Sequence, residues 1–357
     1  MNLICLNIIT FVRMIKLSFF SRLALLCTVA VLLASCHHDR LKIDVSGINV
    51  PPVKIDRLEK DMFSMPPDSV YQRDPAIEKK YGKFYTRFVM DVIYGGGGVM
   101  DSTYAASLKR FITDKDMRLV YDTCEILYPD MKFLEGGLTD AFKHYKYYFP
   151  DKPLPRVITA ISGFSSAIAY TDSTLEISLD WYLGKKSPYY VMLRWPQYQF
   201  SHCDKAYMLS DAVYGWLKTM FKPVEDKNDM LAQIVHEGKL RYLTDALLPD
   251  INDTLKIWYS GKQLAWCKEN EFNMWAYIVQ KNLLYSTDQS DVVKFTDDGP
   301  FTEAFNHDYS PARVGYWLGW QIVRSYMKNN SKVTLADLMN EPDADKILRK
   351  SGYKPSK

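Results

Sequence analysis

The chain has 357 residues, with 45 Lys and Arg against 42 Asp and Glu and a formal charge of +3, so no basic surface marks it as a nucleic-acid binder. Hydrophobic residues make up 47% and aromatics 14%, enough to bury a substantial core and too much for a disordered chain.

From Met14 the sequence runs MIKLSFFSRLALLCTVAVLLASC, with Lys16 and Arg22 ahead of the apolar run Leu23–Leu33 and small residues before Cys36. That order is that of a secretory signal, and the run is shorter than the roughly 20 residues a spanning helix needs. Leu33-Ala34-Ser35-Cys36 is similar to the bacterial lipobox. Residues 1–35 are therefore read as a removed signal and Cys36 as the lipidated residue. Each buried methylene of an acyl chain contributes about 0.8 kcal/mol, which makes such an anchor durable. His37 follows instead of Asp. By the same resemblance this points to the outer membrane, and the lack of an acidic run after Cys36 points to its periplasmic face. Membrane lipid is thus one expected partner. Cys5 and Cys27 fall in the removed segment, and Cys124, Cys203 and Cys267 are an odd, widely spaced set that implies neither a disulfide framework nor a metal site.

Residues 36–52, with Pro51 and Pro52, suit a tether, and one globular domain is expected over 53–357. Helical spacing covers 57–94, broken at Pro66-Pro67 and ended by Gly95–Gly98. Further helices are predicted at 102–112, 114–127 and 136–148. The runs RVITAI, SAIAYT and TLEISLD between Arg156 and Asp180 then read as a small antiparallel sheet. Helices follow at 204–220, 227–246, 252–282, 312–328 and 334–348. Ser310 and Pro311 suit the start of the fourth of these, and Thr334 with Asp337 resembles a capping box at the last. Gly315 and Gly319, one turn apart, permit a close helix neighbour, with Trp317 and Trp320 as packing residues. The stretch Tyr189–Tyr198 is too apolar for an ordinary surface loop and is expected to be buried or a contact surface. The fold class is α+β, mostly helical, with a small central antiparallel or mixed sheet.

One segment carries possible chemistry. DMLAQIVHEGKLRY, residues 229–242, sets His236 and Glu237 on a helix. A zinc peptidase with the HExxH pattern needs a second histidine one turn on, so that both imidazoles reach one metal while the Glu polarises water. Leu240 stands there. Glu271 on a later helix could serve as a further ligand, but His236 plus Glu271 is short of the usual three. Asp245 lies further along the helix and on its opposite side. No cofactor is therefore expected, zinc being the one candidate. In the space of a metal, Lys239 could pair with Glu237 and Glu271 in a buried cluster around His236. The chain has no GxSxG elbow and no GxxxxGK or GxGxxG loop.

His236-Glu237-Gly238-Lys239, Tyr242–Pro249, Ser310–Val323, Ile177–Gly184 and Ser351–Pro355 together resemble the GldB family of gliding-motility lipoproteins. The resemblance implies an envelope lipoprotein that supports surface motility and associated protein secretion through protein partners. It also implies a zincin-like fold in which the degenerate motif makes a pseudo-enzyme. Two alternatives stand beside it. One is a zinc metallopeptidase with an unorthodox site at His236, Glu237 and Glu271. The other is a peptide- or glycan-binding lipoprotein that uses the aromatic stretch near Trp195 and a cleft beside the sheet.

Overall fold

The computed structural model describes residues 40–94, 104–171, 173–223, 228–305 and 309–356. Cys36 and the glycine tract Gly95–Gly98 lie outside these residues. Helices dominate: α1 (Leu58–Phe63), α2 (Val70–Tyr81), α3 (Lys83–Phe88), α4 (Tyr104–Thr113), α5 (Lys115–Leu127) and α6 (Lys132–Tyr148) precede most of the sheet. After it come α7 (Pro188–Met192), α8 (Gln197–Phe200), α9 (Met208–Met220), α10 (Met230–Leu247), α11 (Asp253–Ile257), α12 (Gly261–Glu269) and α13 (Glu271–Gln280). The last four are α14 (Gln289–Thr296), α15 (Val314–Asn329), α16 (Leu335–Asn340) and α17 (Ala344–Ser351). None of the described helices is long and apolar enough to cross a membrane.

The sheet has four strands: β1 (Ile55–Arg57), β2 (Arg156–Ala160), β3 (Ile168–Thr171) and β4 (Thr174–Ser178), in the order β1-β2-β4-β3. It is mixed, which corrects the purely antiparallel reading of residues 156–180. Only β3 and β4 pair antiparallel, whereas β2 pairs parallel with both β4 and β1. The hairpin is local and visible in sequence. The parallel partner β1 arrives from far upstream, and β4 inserts between β2 and β3. As the central strands, β2 and β4 are buried nearly throughout, as expected for strands covered on both faces.

Three predicted helices begin or divide elsewhere. The span 252–282 is three helices, because Trp258 turns left-handed after α11 and Ser260 with Gln263 forms a capping box that starts α12. The span 334–348 opens with the anticipated Thr334–Asp337 capping box but breaks at Glu341, held extended by Pro342. The third, α15, begins at Val314 behind a left-handed Arg313, so Ser310 and Pro311 lie in the approach and not in the helix. The apolar stretch Tyr189–Tyr198 is mostly two short helices, α7 and α8. It is both an anchor and a surface: Tyr190 is buried, while Val191 and Met192 are each 66% exposed.

The helical core is organised by glycine contact between α10 and α15. A Cβ on Gly319 would lie 1.7 Å from the Ile234 carbonyl oxygen, and one on Gly238 would lie 2.2 Å from the Gly319 carbonyl oxygen. No side chain fits there, so the two backbones touch, while Trp317 and Trp320 fill the flanking core at 2% and 0% exposure. Cys124, Cys203 and Cys267 are unpaired and buried. At the sheet, Glu176 is buried with Ser178 donating to its Oε1 at 2.9 Å, and burial pushes its pKa up to about 7.

Two stability measurements follow. Gly319→Ala is expected to cost more than about 3 kcal/mol in urea denaturation, the upper end for overpacking, because backbone blocks the new methyl. Gly136→Ala, a helical position with nothing within 4 Å, is expected to gain about 0.5–1 kcal/mol. For Glu176 the folded pKa lies above the unfolded one, so its contribution to stability is present at low pH and is lost as pH rises from about 4 to about 7. Glu176→Gln should therefore flatten the stability decline across that window and match the wild type at pH 4. An unchanged slope would show that the carboxyl titrates alike in the folded and unfolded chains.

Candidate functional site

The helix α10 starts at Asp229, whose side chain accepts from the Ala232 amide at 2.8 Å. Its i, i+4 spacing then sends successive residues to different neighbours. Ile234 and Gly238 face α15. His236, Glu237 and Lys239 border a cavity of about 580 Å³ with Lys218, Tyr316 and Asp343. Burial lowers the His236 pKa to about 4, so the imidazole is neutral at pH 7.

Glu237 is 4% exposed and its Oε1 is doubly held: Tyr214 donates at 2.7 Å and Arg241 Nε at 2.9 Å. Arg241, one turn after Glu237 and 1% exposed, also donates to the Lys256 carbonyl. Its guanidinium lies over two rings, 4.0 Å from the Tyr214 centroid and 4.7 Å from that of Trp258. Trp258 in turn donates its Nε1 to Asp211 at 2.6 Å, and Tyr182 donates to the other Asp211 oxygen at 3.1 Å. His202 stacks on the same indole at 5.3 Å, and Arg313 lies 4.6 Å from its centroid.

The anticipated cluster of Lys239, Glu237 and Glu271 around His236 is not formed. Glu237 answers Arg241. Lys239 reaches the Glu341 carbonyl, and burial lowers its pKa to about 8. Glu271, at the start of α13, accepts from Tyr353 at 2.6 Å and does not border the cavity. The three residues lie on different stripes of two helices, and the nearest partner of each comes from an element that the motif alone does not name. Leu240, in the place of a second histidine, is fully buried core. Among the described residues no three His, Cys, Asp or Glu side chains are grouped to hold a metal.

Asp245 lies away from His236, as its position along the helix implied. It accepts from Lys256 at 3.0 Å, Trp320 at 2.9 Å and Arg324 at 2.9 Å, and Arg324 grips Asp253 with both Nη groups at 2.9 Å. The sequence reading singled out neither Arg241, Asp211, Trp258 nor Arg313. The available signal was Arg241 at i+4 from Glu237, the spacing of a helical ion pair.

Removing Arg241 leaves Glu237 buried with the Tyr214 hydroxyl but no paired cation. Arg241→Met is expected to lose about 3–5 kcal/mol in urea unfolding at pH 7, and Glu237→Leu/Arg241→Met to recover part of that loss. A double variant no more stable than the single one would show that the two charges are not coupled.

No curated protein and no solved structure matched the chain. The sequence profile of the family described as "Gliding motility protein GldB" matches residues 38–355, nearly all of the chain. The chain belongs to the GldB family of gliding-motility lipoproteins.

Proposed function

We propose that this protein is a non-catalytic lipoprotein that supports surface motility or the associated secretion machinery through protein contacts, with its His-Glu helix kept for structure. Anchored through Cys36 in the outer membrane and facing the periplasm, it is a pseudo-enzyme on a zincin-like plan. The observation that carries this reading is the capture of Glu237. A peptidase glutamate must be free to take a proton from water, whereas this one is desolvated and held by a guanidinium and a phenol. The neighbouring cation also opposes a divalent ion at His236. Family membership supports the motility role.

Exposed apolar residues on two helices support the reading through protein contacts. On α5, Leu119 and Ile126 are 46% and 80% exposed, and on α7 Val191 and Met192 are each 66% exposed. The two helices are joined by a hydrogen bond between Thr123 and Tyr189 at 3.1 Å. Clustered apolar exposure of this kind marks interaction surfaces more often than isolated residues do.

The test is complementation of a deletion strain scored for surface movement, secretion and envelope integrity. His236→Ala is expected to restore all three, and Ile126→Glu/Met192→Glu, folded by circular dichroism, to restore none. Stoichiometric zinc in the purified protein that disappears in His236→Ala, together with failed complementation, would establish the metallopeptidase instead.

A further inference from the structure

A second cavity, of about 1130 Å³, opens on the side of Trp258 that carries His202 and Arg313. Its floor holds two buried polar groups without hydrogen-bond partners. Ser310 is 2% exposed with an unpartnered Oγ, and Arg313 is 8% exposed with an unpartnered Nε. Both border the cavity. Buried donors are ordinarily satisfied, so two unpartnered polar atoms on residues that line one cleft single it out. Arg313 is paired with Asp298, whose Oδ1 lies 3.5 Å from its Nε and which is itself 41% exposed, and its charge also acts on the buried Asp211. His202 adds no charge, since burial lowers its pKa to about 4. Lys185 and Lys186 stand on the rim. Tyr309 and Arg313 both have left-handed backbones, with φ of 64° and 57°, a strain that persists only where the surroundings hold it.

We propose that this cleft binds the C-terminal carboxylate of a short peptide, received by Arg313 and Ser310, with an apolar terminal side chain against Trp258. A planar guanidinium matches a carboxylate in geometry. The charge count favours a monoanion, because a phosphate dianion would meet one guanidinium already shared with Asp298. The walls favour a peptide over a sugar acid. They include Pro196, Pro300 and Pro311, while the polar pair Ser260 and Gln263 is spent on its own capping box. This proposal is independent of the fate of the His236 helix, because Arg313 and Ser310 belong to the approach to α15.

Calorimetric titration of the detergent-solubilised full-length protein tests it, using an N-acetylated tripeptide that ends in phenylalanine, its C-terminal amide, a glucuronate-containing disaccharide and inorganic phosphate. The free acid is expected to bind at least tenfold more tightly than the amide, and the disaccharide and phosphate more weakly still. Arg313→Asn should lose at least tenfold in affinity for the acid while keeping the thermal midpoint, because asparagine tolerates the left-handed backbone. Arg313→Gly serves the same purpose with no backbone strain. Lys185→Ala/Lys186→Ala should retain most of the binding. Equal affinity for acid and amide, no binding of the acid, or a preference for the sugar acid or phosphate would overturn the proposal. So would a loss that follows the two lysines and spares Arg313.

Discussion

The backbone contact between Gly238 and Gly319 is the constraint on which the rest of the structure depends. With no side chain at either position, α10 and α15 approach until Ile234 and Gly319 meet main chain to main chain. Once that stripe of α10 is fixed, the helical period assigns its other faces. His236 turns to a cavity, Glu237 and Arg241 turn to Tyr214, and Asp245 meets Trp320 and Arg324 of α15. The motif that looks catalytic in sequence thus sits beside the closest backbone approach among the described glycines.

Around that contact the protein buries an unusual amount of charge. Glu237 with Arg241, and Asp245 with Lys256 and Arg324, are ion pairs with little solvent access. Such pairs contribute little net stability against an apolar replacement, but breaking one is costly, since the remaining charge cannot be solvated. Their effect here is on register: Asp245 ties α10 to α11 and α15 through Lys256 and Arg324, and the Glu237–Arg241 pair, internal to α10, reaches α9 through Tyr214 and α11 through the Lys256 carbonyl. Trp258 is the junction. Its left-handed backbone swings the indole beneath two guanidiniums and against His202, with its N–H spent on Asp211. Arg241 and Arg313 lie 4.7 and 4.6 Å from the indole centroid, so the structural charge and the proposed binding charge share one aromatic partner.

Much of the helical plan was legible from local signals. The capping box at Thr334, the close-approach glycines of α15 and the core role of its tryptophans all follow from short-range chemistry, and the structure has each of them. Where the helices divide against the dominant periodicity, a second local signal is responsible: the capping box at Ser260 inside a long apolar run, and Pro342 inside an apparent final helix. The sheet's parallel pairing was hidden for a different reason. β1 and β2 are joined only by tertiary contact, and nothing in either segment encodes the other.

The sequence by itself carries the marks of the family, a lipobox-like motif at Cys36 and Leu240 in the place of a second histidine, because each is a matter of residue identity at fixed spacing. Only the tertiary structure decided what the surviving charged residues do. Glu237 could have faced water, a metal or a cation, and Lys239 and Glu271 could have joined it. That choice rests on which helix packs against which face of α10, and hence on a glycine contact between segments about 80 residues apart.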